Sequence, residues 1–326
     1  MKKIVSAFAI MAMMCFSSSA IAADKISIMV KNKQVQTDSA PVVVQGKVLI
    51  PLRAVSESLG AIVEWNQQQK TAVVSKWSKR ASLTVGKKTA RVENLAAPEL
   101  SADKSLDVSV QLISSRVYVP LRFISEQLGY TVDYKNNIVS IRSPYEGLPK
   151  ENFFAQILSG DLGRSRSIIT VNNSAYGLRN YENPPLKTGA FVTNEAYLFP
   201  EGEALRFFMI EDNEIITYYE YKDDFFVATW QGRLEDKAGN AIDQLYADKF
   251  KERTGPTPKI NKPFFYRYYS GYGNSVWRCG RIDVDGKFTE TGYKDETQSI
   301  GTISFVFPNE VRKEVIPVSQ TSLKIP

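Results

Sequence analysis

The sequence of 326 residues contains no histidine. That absence excludes the usual zinc and copper sites, Ser-His-Asp and Cys-His catalysis, and imidazole acid–base chemistry. Carboxylate pairs, Ser-Lys arrangements and carboxylate-bound calcium stay open. Cysteine is almost as scarce, with Cys15 and Cys279 only. Cys15 lies in an N-terminal apolar run expected to be removed. Cys279 is then alone, without an intramolecular disulfide partner, and reads as a small buried residue rather than a reactive thiol. Long hydrophobic runs are missing too: the stretch Ile4 to Phe16 is too short to span a bilayer, and no later stretch is longer. No nucleotide-binding glycine pattern occurs, and neither cofactor nor metal is expected.

The N-terminus carries Lys2 and Lys3, that apolar run, a serine-rich stretch and Ala20-Ile21-Ala22. This is the pattern of a secretory signal peptide, so residues 1–22 are expected to be cleaved near Ala22, leaving a chain that is secreted or held at the cell surface or wall. Residues 24–143 hold 17 Lys+Arg against 10 Asp+Glu, and residues 144–326 hold 22 against 25. The basic front half suggests attraction to anionic envelope polymers, screened by salt. Nucleic acid is not an expected partner of an exported chain lacking a basic aromatic binding pattern.

One stretch is written twice. VLIPLRAVSESLGAIVEW (48–65) returns as VYVPLRFISEQLGYTVDY (117–134), and aligning 46–65 with 115–134 gives nine identities in twenty, which points to internal duplication. In each copy a strand runs into a proline, Pro51 or Pro120, suited to a first helical turn because its missing N–H would be unpaired there. Leu52, Val55 and Leu59, like Leu121, Ile124 and Leu128, recur at helical spacing. Gly60 and Gly129 are expected to end the helices in the left-handed conformation. Strands resume at AIVEW and YTVDY, with more at TAVVSKW, NIVSIRS, ISIMV and APVVV, and Gln45-Gly46 reads as a hairpin turn. Each copy is thus expected to be a small unit with one helix packed on antiparallel sheet. Arg53 and Glu57, and Arg122 and Glu126, are four apart with the cation at the unfavourable end of the helix. That order suggests a tertiary task for the arginines, such as reaching a carboxylate or stacking on Trp65 or Tyr134.

The double pattern, strand, Pro-Leu-Arg, helix, Leu-Gly, strand and aromatic, resembles the copper amine oxidase N-terminal or stalk domain family over about residues 25–143. The resemblance implies a small α+β module of the kind that recurs in secreted bacterial proteins, apart from any oxidase core. It does not imply amine oxidase activity, which in that family needs three histidine copper ligands and a tyrosine-derived quinone. Two departures stand out: Ser115 replaces the turn glycine of the first copy, and LAAPELSADKSLDVSV loosens the approach to the second.

Prolines 144 and 149 with Gly147 place a linker at 144–150. Residues 151–326 read as a second, mainly antiparallel α+β domain. A helix is expected around KENFFAQIL and another at NAIDQLYADKFKE. Strands are expected at SIITV, GAFVT, EALRFFMI, EIITYYEY, DFFVATW, PFFYRYYS, SVWRCGRIDV and TISFVF. Aromatic density suggests a glycan-binding face, with Trp230, Tyr268, Tyr269, Tyr272 and Trp277 as the contacts and Tyr218, Tyr219, Tyr221 and Tyr266 beside them; ordinary strand packing explains the same pattern. DVDGK (283–287) reads as an Asp-Gly hairpin turn rather than a calcium loop. Glu211, Asp212, Glu214, Glu220, Asp223 and Asp224 could include a glycosidase pair. SKWSKRASLTVGKKTAR (75–91) gathers Lys76, Lys79, Arg80, Lys87, Lys88 and Arg91 around Trp77, either a contact for anionic wall polymer or a solvated hairpin.

The expectation is a secreted, non-enzymatic binding or structural protein of the cell envelope, in which the stalk-like domain anchors or presents the C-terminal domain. Its partner would be peptidoglycan, another anionic glycan, or an exported protein. The alternative is a cell-wall glycan hydrolase using C-terminal carboxylates.

Overall fold

The computed structural model describes residues 26–144, 153–158, 161–171, 180–187, 192–271 and 275–314. The expected leader, Cys15, nearly all of the expected linker and Tyr272 lie outside the described residues. Strand outweighs helix by 46% to 14%, so the fold is α+β with a strong bias to β.

The N-terminal unit runs β1 (Ser27–Val30), β2 (Lys33–Gln34), β3 (Val42–Val44), β4 (Lys47–Pro51), α1 (Leu52–Ser58), β5 (Ile62–Asn66), β6 (Thr71–Lys76), β7 (Lys79–Thr84), β8 (Thr89–Asn94), β9 (Ala102–Ser105), β10 (Gln111–Ile113), β11 (Arg116–Pro120), α2 (Leu121–Gln127), β12 (Thr131–Lys135) and β13 (Ile138–Arg142). Both written-twice segments take the same local form. Pro51 and Pro120 cap seven-residue helices in extended geometry, where a missing donor leaves no ladder bond unmade. Gly60 and Gly129 have φ of 77° and 86°. The N–H groups of Gly60 and Ala61 close on the carbonyls of Glu57 and Ser56, and those of Gly129 and Tyr130 on Glu126 and Ser125, so each helix ends as its glycine requires.

The two copies are not separate units. β4 pairs with β11 (Val119 opposite Ile50) at the centre of a four-stranded sheet ordered β10-β11-β4-β3. β1 pairs in parallel with β13, Ser27 opposite Ile138. One apolar cluster therefore takes Leu52, Val55 and Leu59 together with Leu121, Ile124 and Leu128. Gln45-Gly46 makes the two-residue turn with both residues left-handed. Ser114-Ser115 makes the matching turn at φ of 46° and 62°, so Ser115 adopts the conformation without the ease of a glycine. The loosened approach supplies β9, the outer strand of the sheet β5-β6-β7-β8-β9.

The C-terminal unit runs α3 (Phe153–Ile157), α4 (Leu162–Val171), β14 (Asn180–Tyr181), β15 (Asn194–Pro200), β16 (Arg206–Glu211), β17 (Ile215–Lys222), β18 (Phe225–Leu234), α5 (Ala241–Tyr246), β19 (Phe250–Arg253), β20 (Phe264–Ser270), β21 (Val276–Ile282), β22 (Phe288–Asp295) and β23 (Ile300–Thr302). Its sheet is ordered β14-β18-β17-β16-β15-β20-β21-β22-β23, with β19 also on β18. Both faces of the central strands are covered. Tyr197, Phe199, Phe207 and Tyr219 pack with Ile157, Ile168 and Phe307 on one side; Leu198, Phe208, Tyr218 and Trp230 pack with Ile242 and Leu245 on the other. Hence the unbroken apolar runs of β16 and β17.

Several expected elements differ. SIITV lies in α4, because Asp161 accepts the N–H of Arg164 at 2.8 Å to cap the first turn and tertiary anchoring overrides β-branched propensity. The anchor is Arg166, fully buried, which grips the Glu310 carboxylate with two 2.8 Å bonds and the carbonyls of Pro200, Glu203 and Phe305. The helix at 240–252 stops at Tyr246; Asp248 at φ 54° turns the chain and β19 follows. TISFVF contributes only Thr302 to a strand, its Ile303 and Phe307 packing as irregular chain on the sheet. GAFVT is described only at Val192 and Thr193, which precede β15. β22 escaped the sequence pattern because half of it is exposed and it is mostly polar. DVDGK is a turn as expected, with Gly286 at φ 86° and its N–H on the Asp283 carbonyl at 2.9 Å.

Candidate functional site

The hairpin between β17 and β18 joins the two units. Asp223 and Asp224 are both left-handed, at φ of 49° and 71°, so the turn is tight and projects Phe225. Phe225 and Val227 belong to the apolar cluster of the N-terminal unit. The Phe225 ring meets Trp77 edge-on at 5.1 Å and Tyr130 at 5.5 Å. A Cβ on Gly60 would stand 2.6 Å from Asp223 Oδ2, and one on Gly129 would stand 2.8 Å from Phe225 Cζ. The glycine that ends each helix thus also leaves room for the hairpin.

Lys76 sits beneath this tip, 3% exposed. Its ammonium donates to the Leu59 carbonyl at 2.5 Å and to the Tyr130 hydroxyl at 2.9 Å, and lies 4.4, 4.9 and 5.5 Å from the Trp77, Tyr130 and Phe225 ring centres. The Tyr130 hydroxyl donates onward to the Asp223 carbonyl at 3.0 Å. Lys31 pairs with Asp224 at 2.5 Å. Burial lowers the Lys76 ammonium to about 8, against the opposing pull of Asp223.

Lys76 therefore cannot belong to a surface basic patch. Of its expected companions, Lys79, Arg80, Lys87 and Lys88 are exposed, and Arg91 is exposed but within 3.5 Å of Asp103. The strand period places Lys76 on the inner face of the sheet.

An open cleft of about 630 Å³ crosses the N-terminal unit, lined among others by Pro51, Arg53, Glu57, Trp65, Leu112 and Arg116. Leu112 is 48% exposed, and Trp65 gives its indole N–H to Gln67 at 2.6 Å. Arg116 pairs with Asp38 at 2.6 Å. The expected tertiary task of the repeated arginines is not met: among the described residues Arg53 reaches only Glu57 at 3.7 Å, and Arg122 only Glu126 at 3.8 Å, both in solvent. Such pairs add little stability, and Arg53 lines the cleft. Tyr134 is 45% exposed and bonds Asn137 rather than an arginine.

The expected aromatic face is divided by the same two-residue period. Trp230 is buried among Phe208 and Phe250, with Tyr218 beside Phe208, while Tyr219 is buried on the opposite face. Tyr221 lies edge-on to Phe226 on that same face. Tyr266 and Tyr268 lie on the Trp230 side and the Tyr268 hydroxyl bonds Asn194 at 3.2 Å. Tyr269 stacks on Trp277 at 4.1 Å on the other side. Trp277 in turn covers the Arg267 guanidinium at 4.2 Å, and Phe305 covers it at 4.3 Å. No single platform holds Trp230, Tyr268, Tyr269 and Trp277 together.

Among the carboxylates, Glu214 pairs with Arg233 and Lys237, Asp212 accepts the N–H groups of Thr193 and Asn194, and Asp223 and Asp224 belong to the joint. Glu220 accepts from Thr229 at 3.2 Å. Glu211 stands opposite Glu195 in the strand register; burial, with Glu195 and Asp212 beside it, raises its carboxyl to about 7. Glu195 was not among the residues singled out from sequence. Asp283 pairs with Arg281, and Asp285 accepts the Lys287 N–H. Cys279 is fully buried, as a small core residue.

The donor set does not fit copper: the chain has no histidine, and among the described residues no three His, Cys, Asp or Glu side chains converge. Among the same residues no helix is long and apolar enough to cross a membrane.

Comparison with known proteins agrees with the N-terminal geometry. Residues 29–142 match the family model of the copper amine oxidase N-terminal domain, and no family model matches the C-terminal half. A protein named "Protease inhibitor" from Brevibacillus choshinensis is 28% identical over 148 residues, which is 45% of this chain, and the match covers 40% of that relative's length. The unit that carries the two Pro-Leu-Arg segments, residues 29–142, is thus similar to the copper amine oxidase N-terminal domain family.

Proposed function

We propose that this is an exported, non-enzymatic binding or structural protein of the cell envelope, whose N-terminal domain holds an anionic wall polymer and presents the C-terminal unit. The joint carries this reading: Phe225 of one unit is a core residue of the other, so the N-terminal domain is built to hold its neighbour at a set orientation. The cleft beside Arg53 and Trp65 supplies an aromatic wall with cationic donors, suited to a sugar ring bearing anionic groups. The exposed Lys79, Arg80, Lys87 and Lys88 add a screened attraction. The signal-peptide pattern of residues 1–22 supports export, and the written-twice segment supports a duplicated scaffold. A relative over 45% of this chain carries the name "Protease inhibitor", which is not the name of an enzyme.

The test is sedimentation with purified envelope over a salt series. The protein should pellet with the wall at low salt, be released at high salt, and free no soluble sugar. Binding indifferent to salt would exclude the basic face as the contact, and co-purification with one exported protein instead would favour an assembly role.

Glu211 favours a second reading, a glycan hydrolase. A carboxyl raised to about 7 beside Glu195 retains a proton near neutrality, as a general acid must. Loss of a measured wall-lytic activity in Glu211→Gln would establish it.

A further inference from the structure

The connection from β19 to β20 reads Thr254-Gly-Pro-Thr-Pro-Lys-Ile-Asn-Lys-Pro263. We propose that it is a protease-binding loop, which enters the active site of a serine endopeptidase that cleaves after Lys or Arg, with Lys259 filling the acidic specificity pocket. This goes beyond the envelope reading and does not depend on it.

The backbone is set for that role. Prolines 256, 258 and 263 hold φ near −65°, and the residues preceding them are biased to extended geometry. None of the residues 254–263 has positive φ. A substrate enters a protease cleft as an extended strand that gives backbone hydrogen bonds to the enzyme. Among the described residues, no backbone–backbone hydrogen bond involves Pro256 to Lys262, so this stretch is not part of the chain's own ladders.

Both ends of the loop are pinned. Upstream, Thr254 exchanges two 2.9 Å bonds with the Gln231 backbone, the Trp230 indole N–H donates to the Gly255 carbonyl at 3.0 Å, and Thr257 Oγ1 donates to Asp248 at 2.6 Å. Downstream, Ile260 packs against the α5 side of the core, Lys262 pairs with Glu203 at 2.5 Å, and the Pro263 carbonyl accepts the Glu201 N–H at 2.9 Å. Between these anchors Lys259 is exposed, with no ion pair among the described residues. A loop already ordered loses little entropy on binding, and a lysine presented to an acidic pocket supplies the specificity.

The same anchors favour inhibition over turnover. Attack by the protease serine on the Lys259 carbonyl would break the Lys259–Ile260 bond and pass the serine proton to the Ile260 nitrogen. Ile260, partly buried, packs against the core, which keeps the new amine beside the acyl carbon. It can displace the serine oxygen, returning the proton and resealing the peptide bond, before water hydrolyses the ester.

The test uses the full chain against trypsin as probe, read by hydrolysis of a small peptidyl amide, with intact mass recorded after incubation. Wild type and Lys259→Arg should inhibit, and Lys259→Ala should weaken inhibition by at least about 100-fold, as expected of a residue anchoring an interface. Lys259→Phe should move inhibition toward a protease that prefers aromatic residues. Lys259 is exposed, so circular dichroism of these variants should match wild type. The proposal is overturned by no inhibition at about 10 μM wild type, by unchanged inhibition in Lys259→Ala, or by steady cleavage at Lys259 without inhibition. Envelope sedimentation of Lys259→Ala should be unchanged in every case, which keeps the two readings separable.

Discussion

The ring of Phe225 fills the space that a side chain on Gly129 would need: a Cβ there would stand 2.8 Å from Phe225 Cζ. Gly129→Ala therefore incurs two costs, a left-handed alanine and an overlap with a buried ring, together roughly 2–4 kcal/mol. Gly86, at φ 83° and with open space for 4 Å around the position a Cβ would take, isolates the first cost, and Gly86→Ala should lose only about 1 kcal/mol. Urea denaturation of the two variants checks the difference.

Phe225→Ala removes a ring from the core of one unit while changing the sequence of the other. The expected loss is about 3–5 kcal/mol, and the two units should then unfold in separate transitions where wild type is expected to show one. Calorimetry, together with hydrogen exchange of Tyr130 and Trp77, would detect this uncoupling.

Lys76 gives stability a particular pH dependence. Its native pKa is lowered to about 8 from 10.5, so between those values the unfolded chain binds the extra proton. Stability should then rise as pH increases from about 8 toward 10. Above pH 10 the buried Tyr130 hydroxyl, which is raised chiefly by burial, opposes the rise, because only the unfolded tyrosine ionises. Lys76→Met should abolish the increase between pH 8 and 10 in a series of denaturation midpoints.

Glu211 acts with the opposite sign in another window. Its native pKa is raised from 4.5 to about 7, so the folded protein holds the extra proton and stability should fall as pH rises from 4.5 to 7. In Glu211→Gln that decline should flatten, measured by the same method.

Local chemistry was legible where a residue's task is local. The prolines entering α1 and α2, their leucine stripes, the left-handed Gly60 and Gly129, and the Gln45-Gly46 and Asp-Gly turns all follow from short-range sterics. The burial of Lys76 was not, because SKWSKR reads as a solvated hairpin until the tip at Asp223 and Asp224, far along the chain, closes over it. SIITV misleads for the same reason: Arg166 is held by Glu310, and no window spans both residues. The aromatic face failed differently. Tyr268 and Tyr269 are neighbours in sequence, but a strand sends adjacent side chains to opposite faces.

The most direct test of the envelope account is sedimentation of wild type and Trp65→Ala with purified cell wall at low salt, with soluble sugar assayed in the supernatant. The account predicts that wild type pellets, that Trp65→Ala loses roughly ten-fold or more in affinity for want of its stacking surface, and that neither releases sugar. Equal pelleting of both proteins, or sugar released by wild type, would contradict it.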